Sequence, residues 1–285
     1  MSKVIIVTDS TVGLDSESIQ GYPIYIVPLQ VIWGEHSYLD GVDITTQQFY
    51  ERLVQDDLTP STSQPSPADF INIYKRLLDS GHQILSIHLT PELSGTMASA
   101  LQARASFEDD APIEVINSKT ISAPLGFIVL EAAEAARKGC SLEECKAAAE
   151  KVIDKCGVFF AVSTLEFLQR GGRIGGAAAL LGTALNLKPI LEVKNERIEA
   201  VKKVRTITKA IGQLIDQVDL SANGKKVRKI AVLHANELQI AQELLVKACE
   251  YYNLNTNNGS YLTEVSPVIG THVGPGTVGL AYLLE

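Results

Sequence analysis

Short apolar runs alternate with helical spacings through the first half of the chain. Residues 4–7 and 24–31 read as buried strands, and Trp33-Gly34-Glu35-His36 reads as a turn after the second. Residues 44–53 have helical spacing, with Asp43 or Thr45 placed to cap the helix. Residues 60–67 read as a loop. Ser66-Pro67 then predicts an N-cap and first-turn proline opening a helix over 67–79, stopped at Gly81. A strand over 84–89, a helix over 95–106 opened by Ser94-Gly95-Thr96, and a strand over 113–116 follow. Helices are predicted over 121–138 and 141–155, the latter with Ser141 and Glu144 as a capping box.

The pattern changes at Gly157. Residues 158–162 read as a strand. Gln169-Arg170-Gly171-Gly172-Arg173-Ile174-Gly175-Gly176 reads as a flexible turn leading into a small-residue helix that ends near Leu185. Two strands flank Lys194-Asn195-Glu196 as a hairpin. A helix over 206–219, a strand over 228–234, a helix over 236–252 and a strand over 261–270 come next, and the apolar run 280–284 reads as a last helix. The alternation of the first half predicts a parallel sheet with helices on both faces. The second half fits a mixed sheet. The expected fold is therefore α/β, with a three-layer parallel-sheet domain over 1–157 and a mixed-sheet domain over 158–285.

Composition narrows the function classes. Apolar residues make up 46% of the chain and charged residues 20%, as in a globular protein. Net charge is −8 and no Lys/Arg block interrupts the acidic balance, so a nucleic-acid partner is not expected, nor steady attachment to anionic membranes. The first apolar run is too short for a signal peptide, and no apolar stretch reaches the length of a membrane span. A cytoplasmic location is the expectation. Cys140, Cys145, Cys156 and Cys249 form no Cys-x-x-Cys pair and have no His-rich neighbourhood, so neither a disulfide nor a metal site is expected.

Three polar turns carry the candidate chemistry. They are Thr62-Ser63-Gln64-Pro65, Leu93-Ser94-Gly95-Thr96 and Thr271-His272-Val273-Gly274-Pro275-Gly276. Hydroxyl donors, a histidine and open backbone N–H groups are what an anionic head group needs. The three turns are expected to meet around one such group. Gly274-Pro275-Gly276-Thr277-Val278-Gly279 matches a dinucleotide fingerprint in letters only, since no βαβ unit can follow it. Ser94 with His272 and a carboxylate such as Asp9 leaves a serine hydrolase as the alternative function. Arg173 in its glycine-flanked turn reads as an exposed guanidinium for a phosphate or a partner. Arg205 belongs to a basic patch with Lys202, Lys203 and Lys209 that suits an acidic partner.

The ordered set of motifs resembles the DegV family of bacterial fatty-acid-binding proteins. The residues that carry the match include Thr8-Asp9-Ser10-Thr11, Asp40-Gly41-Val42-Asp43-Ile44, the three turns above, Ser118-Lys119-Thr120-Ile121-Ser122, Phe167–Ile174, Leu187–Leu191 and Val204-Arg205-Thr206. The resemblance spans residue 8 to the end. It implies a fatty acid held near the interface of two α/β domains, its carboxylate at Thr62, Ser94 and Gly95, and His272. It implies no cofactor and no metal. Some members act as the acyl-binding subunit of a fatty acid kinase, without turnover alone, beside a separate ATP-binding subunit that forms the acyl phosphate. Arg173 and Arg205 are then candidates for the partner or the phosphate. Phe159, Phe160 and Leu181, with the apolar segment 177–187, are candidates for the tail. Two positions depart from the family pattern: Asn117 stands where aspartate is common, and Pro124 where glycine is common.

Overall fold

The computed structural model describes residues 3–15, 17–56, 58–182, 187–256 and 259–285. Its first half contains β1 (Val4–Asp9), β2 (Ile24–Val27), β3 (Gln30–Trp33), β4 (His36–Leu39), α1 (Thr46–Gln55), β5 (Ser61–Ser63), α2 (Pro67–Asp79), β6 (Gln83–His88), α3 (Thr96–Arg104), β7 (Ile113–Asn117), α4 (Ala123–Arg137) and α5 (Leu142–Ile153). Strands β2-β1-β6-β7 form a sheet in that order, each pair parallel. Side chains alternate across it, as the pleat requires. Val7 and Ile84 pack with Phe70 and Tyr74 of α2, while Ile6 and Leu85 pack on the α4 side. Strands β4-β3-β5 make a small antiparallel sheet beside it.

The second half contains β8 (Cys156–Ala161), α6 (Glu166–Arg170), β9 (Lys188–Lys194), β10 (Arg197–Val204), α7 (Ile207–Ala222), β11 (Val227–Ala235), α8 (Leu238–Tyr252), β12 (Tyr261–Glu264), α9 (Pro267–Val273) and β13 (Thr277–Leu284). The sheet runs β10-β9-β8-β13-β11-β12. Only β11 and β12 pair in parallel. Helices α7 and α8 cover one face. Helix α4 lies between this sheet and the first, and its residues Leu125, Phe127, Ile128 and Val129 are wholly buried. The resulting core cluster draws on both sheets, from Val4 and Ile6 to Val158, Ala281 and Leu283. Among the described residues no helix is long and apolar enough to cross a membrane.

Five expectations need correction. The run at 280–284 is strand, part of β13, and not a last helix. All eight residues of β13 are buried between β8 and β11, and a continuous apolar run cannot distinguish such a strand from a buried helix. The strand expected over 261–270 stops at Glu264, and Ser266-Pro267 opens α9. That is the same N-cap and first-turn proline pattern that opens α2. The 24–31 strand is two strands broken at Pro28-Leu29, and the 60–67 loop contains β5. The small-residue helix is a 3₁₀ turn over Gly175–Leu180; its expected remainder at 183–186 lies outside the described residues.

The parallel sheet is tied at its carboxyl edge by Asp9. Its side chain, with no exposed surface, accepts hydrogen bonds from Thr11 N at 3.1 Å, Thr11 Oγ1 at 2.5 Å, Leu89 N at 3.1 Å and His88 Nδ1 at 3.0 Å. Replacing Asp9 with Ala leaves these buried donors without an acceptor. The expected loss is about 3–5 kcal/mol of unfolding free energy, read from urea denaturation. A loss below about 1 kcal/mol would show that water replaces the carboxylate and that the tie is not structural.

Candidate functional site

Beyond the carboxyl ends of the parallel strands lies a cavity facing the inner side of the second sheet. It encloses about 90 Å³, less than the roughly 300–1,000 Å³ common for small-molecule sites. Strand periodicity selects its walls. Val158 and Phe160 alternate toward it from β8, and Leu233 and Gly279 face it from β11 and β13. Leu89, Leu93 and Ile121 close it from the first sheet, and α9 contributes Val268, Ile269, His272 and Val273. These four positions fall on one helical face.

The polar end gathers side chains from distant segments. Thr62 on β5, Ser94 in the turn before α3, Arg173 after α6 and His272 at the end of α9 all line the cavity, with Ser63 and Gln64 beside Thr62. Thr62 Oγ1 and His272 Nε2 are hydrogen-bonded at 2.8 Å. Arg173 reaches from the second sheet to the Ser94 turn, donating from Nε to Leu93 O at 3.1 Å and from Nη1 to Gly171 O at 2.7 Å. Burial, and then the charge of Arg173, push the His272 pKa down from 6.5 to about 4, so the imidazole is neutral near pH 7. Its Nδ1 is buried without a partner. Gly171 makes this packing possible, because a Cβ there would stand 2.1 Å from His272 Nδ1. Gly95 lies against Gln64, whose side chain would come within 3.0 Å of a Cβ at that position.

Other expected residues fall elsewhere. Arg173 is half-buried in the cavity wall and is not an exposed guanidinium. Phe159 faces away from the cavity and stacks on Tyr282, ring centroids 6.1 Å apart. Consecutive strand residues point to opposite faces, so Phe159 and Phe160 cannot share a wall. Leu181 is 40% exposed and outside the cavity lining. Arg205 is exposed where β10 ends. The composition of the cavity adds residues that sequence reasoning missed, notably Thr11, Ser122, Leu233 and the apolar face of α9. The Ser266-Pro267 pair was the available signal for α9.

The hydrolase arrangement is not formed. Ser94 Oγ meets Thr96 Oγ1 at 2.9 Å and accepts from Thr96 N at 3.3 Å. His272 bonds Thr62, and Asp9 bonds His88. A Ser-His-Asp line does exist at Ser86, His88 and Asp9, with Ser86 Oγ 2.7 Å from His88 Nε2. All three have no exposed surface, and Tyr74 donates to Ser86 Oγ at 2.7 Å. No substrate can reach that hydroxyl, so the line is structural. Among the described residues no cluster of His, Cys, Asp and Glu could hold a metal ion.

Comparison with known proteins agrees with this architecture. The family model described as an uncharacterised protein of the DegV family matches residues 3–285. A DegV domain-containing protein of Streptomyces coelicolor is 38% identical over 278 residues, 97% of each chain. Among solved structures, a fatty-acid-binding DegV family protein from Thermus thermophilus superposes with a TM-score of 0.91 at 34% identity over all of both chains. DegV from Bacillus subtilis, described as a fatty acid binding protein, superposes at 0.87 with 31% identity, again over all of both chains. With the match running almost from end to end, the chain belongs to the DegV family.

Proposed function

We propose that the cavity holds one long-chain fatty acid, its tail between the two sheets and its carboxylate among Thr62, Ser94, Arg173 and His272. The observation that carries this reading is the Thr62–His272 hydrogen bond in a largely apolar cavity. Each buried CH₂ contributes about 0.8 kcal/mol, so the tail supplies most of the affinity. A buried carboxylate needs hydrogen-bond donors and a compensating charge. Arg173 offers the charge and Ser94 a hydroxyl. With its proton on Nε2, His272 donates to Thr62, whose own hydroxyl then donates to the ligand. The fatty acids bound by the Thermus and Bacillus relatives favour the same ligand class. Native mass spectrometry and lipid extraction of the purified protein test this reading. A stoichiometric long-chain acid is expected; empty protein that stearate does not stabilise thermally would reject it.

The same reading makes the protein a carrier without turnover of its own. It presents the acid to a separate ATP-binding kinase subunit, which forms the acyl phosphate. Family resemblance supports this step, as does the exposed cationic strip of Lys202, Arg205 and Lys209 where β10 meets α7. Two arginine variants separate binding from docking. Arg173→Ala is expected to weaken stearate binding by about 1.5–3 kcal/mol, the range for a hydrogen bond to a charged group. Arg205→Ala is expected to leave that affinity unchanged and to reduce acyl phosphate formed with the kinase subunit. Equal stearate affinities in Arg173→Ala and the parent protein would remove Arg173 from the head-group site.

His272 adds a pH signature. Its pKa in the folded, ligand-free protein is about 4, against 6.5 for an ordinary histidine. A base whose folded pKa is depressed contributes stability that is full above the ordinary value and lost as pH falls toward the folded one. From about pH 7 to about pH 4 this amounts to about 3 kcal/mol. His272→Gln is expected to lack that part of the acid sensitivity in urea unfolding. A carboxylate beside the imidazole raises its pKa, so NMR titration of His272 is expected to move upward when stearate binds. An unmoved His272 titration would place the carboxylate elsewhere.

A further inference from the structure

The cavity carries a polar group outside the head-group cluster, and that group has no partner. Ser122 lines the cavity and is only 5% exposed. Its Oγ makes no hydrogen bond. It occupies the N-cap position of α4, a helix of 15 residues, yet makes no side-chain capping bond there. Its backbone has φ 62° and ψ −142°, a region that glycine tolerates and other residues enter only under strain. Serine is thus kept where the backbone favours glycine and where its hydroxyl finds nothing to bind. Both features cost the fold stability.

The surroundings define what could pair with that hydroxyl. The turn at Gly13 packs directly against it, since a Cβ on Gly13 would stand 3.1 Å from Ser122 Oγ. Thr11, also in the cavity lining, donates its hydroxyl to Asp9 and keeps lone pairs to accept with. Pro124 in the first turn of α4 removes one backbone donor from the helix start. The neighbouring lining residues Leu89, Ile121 and Val158 are aliphatic. A saturated acyl chain would fill this space and leave Ser122 unpaired. A charged group would find no counter-charge among these residues. A single hydroxyl can both donate and accept here.

We propose that Ser122 is a second, uncharged subsite that takes a hydroxyl carried part-way along the acyl chain, so that the favoured ligand is a long-chain hydroxy fatty acid. This rests on the fatty-acid reading above. Such a site discriminates because an analogue without the hydroxyl leaves a buried polar group unsatisfied. The test compares stearate with a series of monohydroxylated stearates, the hydroxyl stepped along the chain, by calorimetric titration of the delipidated protein. One positional isomer is expected to bind about fivefold to tenfold tighter than stearate, the ratio that one net hydrogen bond gives. Ser122→Gly removes the hydroxyl and relaxes the backbone, and Ser122→Ala removes the hydroxyl alone. Both are expected to flatten the series, the preferred isomer losing its advantage over stearate. A flat series in the parent, or a preference that survives both substitutions, would overturn the subsite while leaving the fatty-acid reading intact. Failure of the parent to bind stearate at all would remove both.

Discussion

The cavity stays apolar because one buried carboxylate satisfies the polar groups at its floor. Strand ends of a parallel sheet leave backbone N–H groups facing the crevice where ligands lie. Here Asp9 accepts the N–H groups of Thr11 and Leu89, and both of those residues line the cavity. His88 completes the set, and the bonds continue through Ser86 to Tyr74 on α2. A consistent direction runs from Tyr74 to Ser86 to His88 to Asp9, each donating to the next. These strand ends are satisfied internally, and the charged and imidazole groups of the lining come from other segments, Arg173 after α6 and His272 on α9. That one tie leaves the Thr11 and Leu89 backbone donors without need of a ligand.

Close packing, and not phosphate binding, explains the glycines near the polar end. Gly274 has φ 71° and turns α9 into β13, and a Cβ there would stand 2.2 Å from the Phe167 ring. Gly171 gives the same clearance to the His272 ring. Phe167 and Gly171 belong to α6 and its cap, so α6 seats directly on α9. Arg173 follows two residues later, and its reach to Leu93 brings the Ser94 turn into the same cluster. The letters of a dinucleotide fingerprint therefore encode how tightly α6, α9 and β13 approach. The helix that such a fingerprint needs after its last glycine is β13 instead.

Much of the framework is legible in local chemistry. Capping boxes at Thr45–Gln48, Ser66–Asp69 and Ser141–Glu144 start three helices, because each pattern satisfies backbone donors that any helix leaves free. The three polar turns were visible because polar side chains between apolar runs need a reason to be there. What stayed hidden depends on partners remote in sequence. The run at 280–284 is strand only because β8 and β11 flank it. Arg173 reads as solvent-exposed until the Leu93 turn, which accepts from its guanidinium, packs against it. The difference between Phe159 and Phe160 is a matter of register, which periodicity supplies only once one face is known to be buried. Ser122 carries no signal of its own, since its strain and its missing hydrogen bond exist only in the folded chain.

The two departures from the family pattern also find physical reasons in the fold. Pro124 sits in the first turn of α4, where a missing N–H breaks no helical bond. Asn117 faces the β9–β10 hairpin. The two residues of that turn, Asn195 and Glu196, both have positive φ, 48° and 68°, the geometry of a tight primed turn in which glycine would be the easier second residue. Glutamate is kept there and bridges the two sheets. Its carboxylate accepts from Thr90 Oγ1 at 2.6 Å and from Asn117 Nδ2 at 2.8 Å. Those bonds, Thr90's first, hold its pKa below the ordinary carboxylate range. An ionised aspartate at 117 would offer no donor and would repel Glu196. Asn117 and Glu196 therefore act as a matched pair, and Arg197 adds an ion pair with Glu92 at 2.7 Å. Leu89, Leu93, Val193 and Ile198, which flank these contacts, all line the cavity. The clamp thus joins the two sheets beside the cavity, and the asparagine at 117 makes its hydrogen bond from Nδ2 possible.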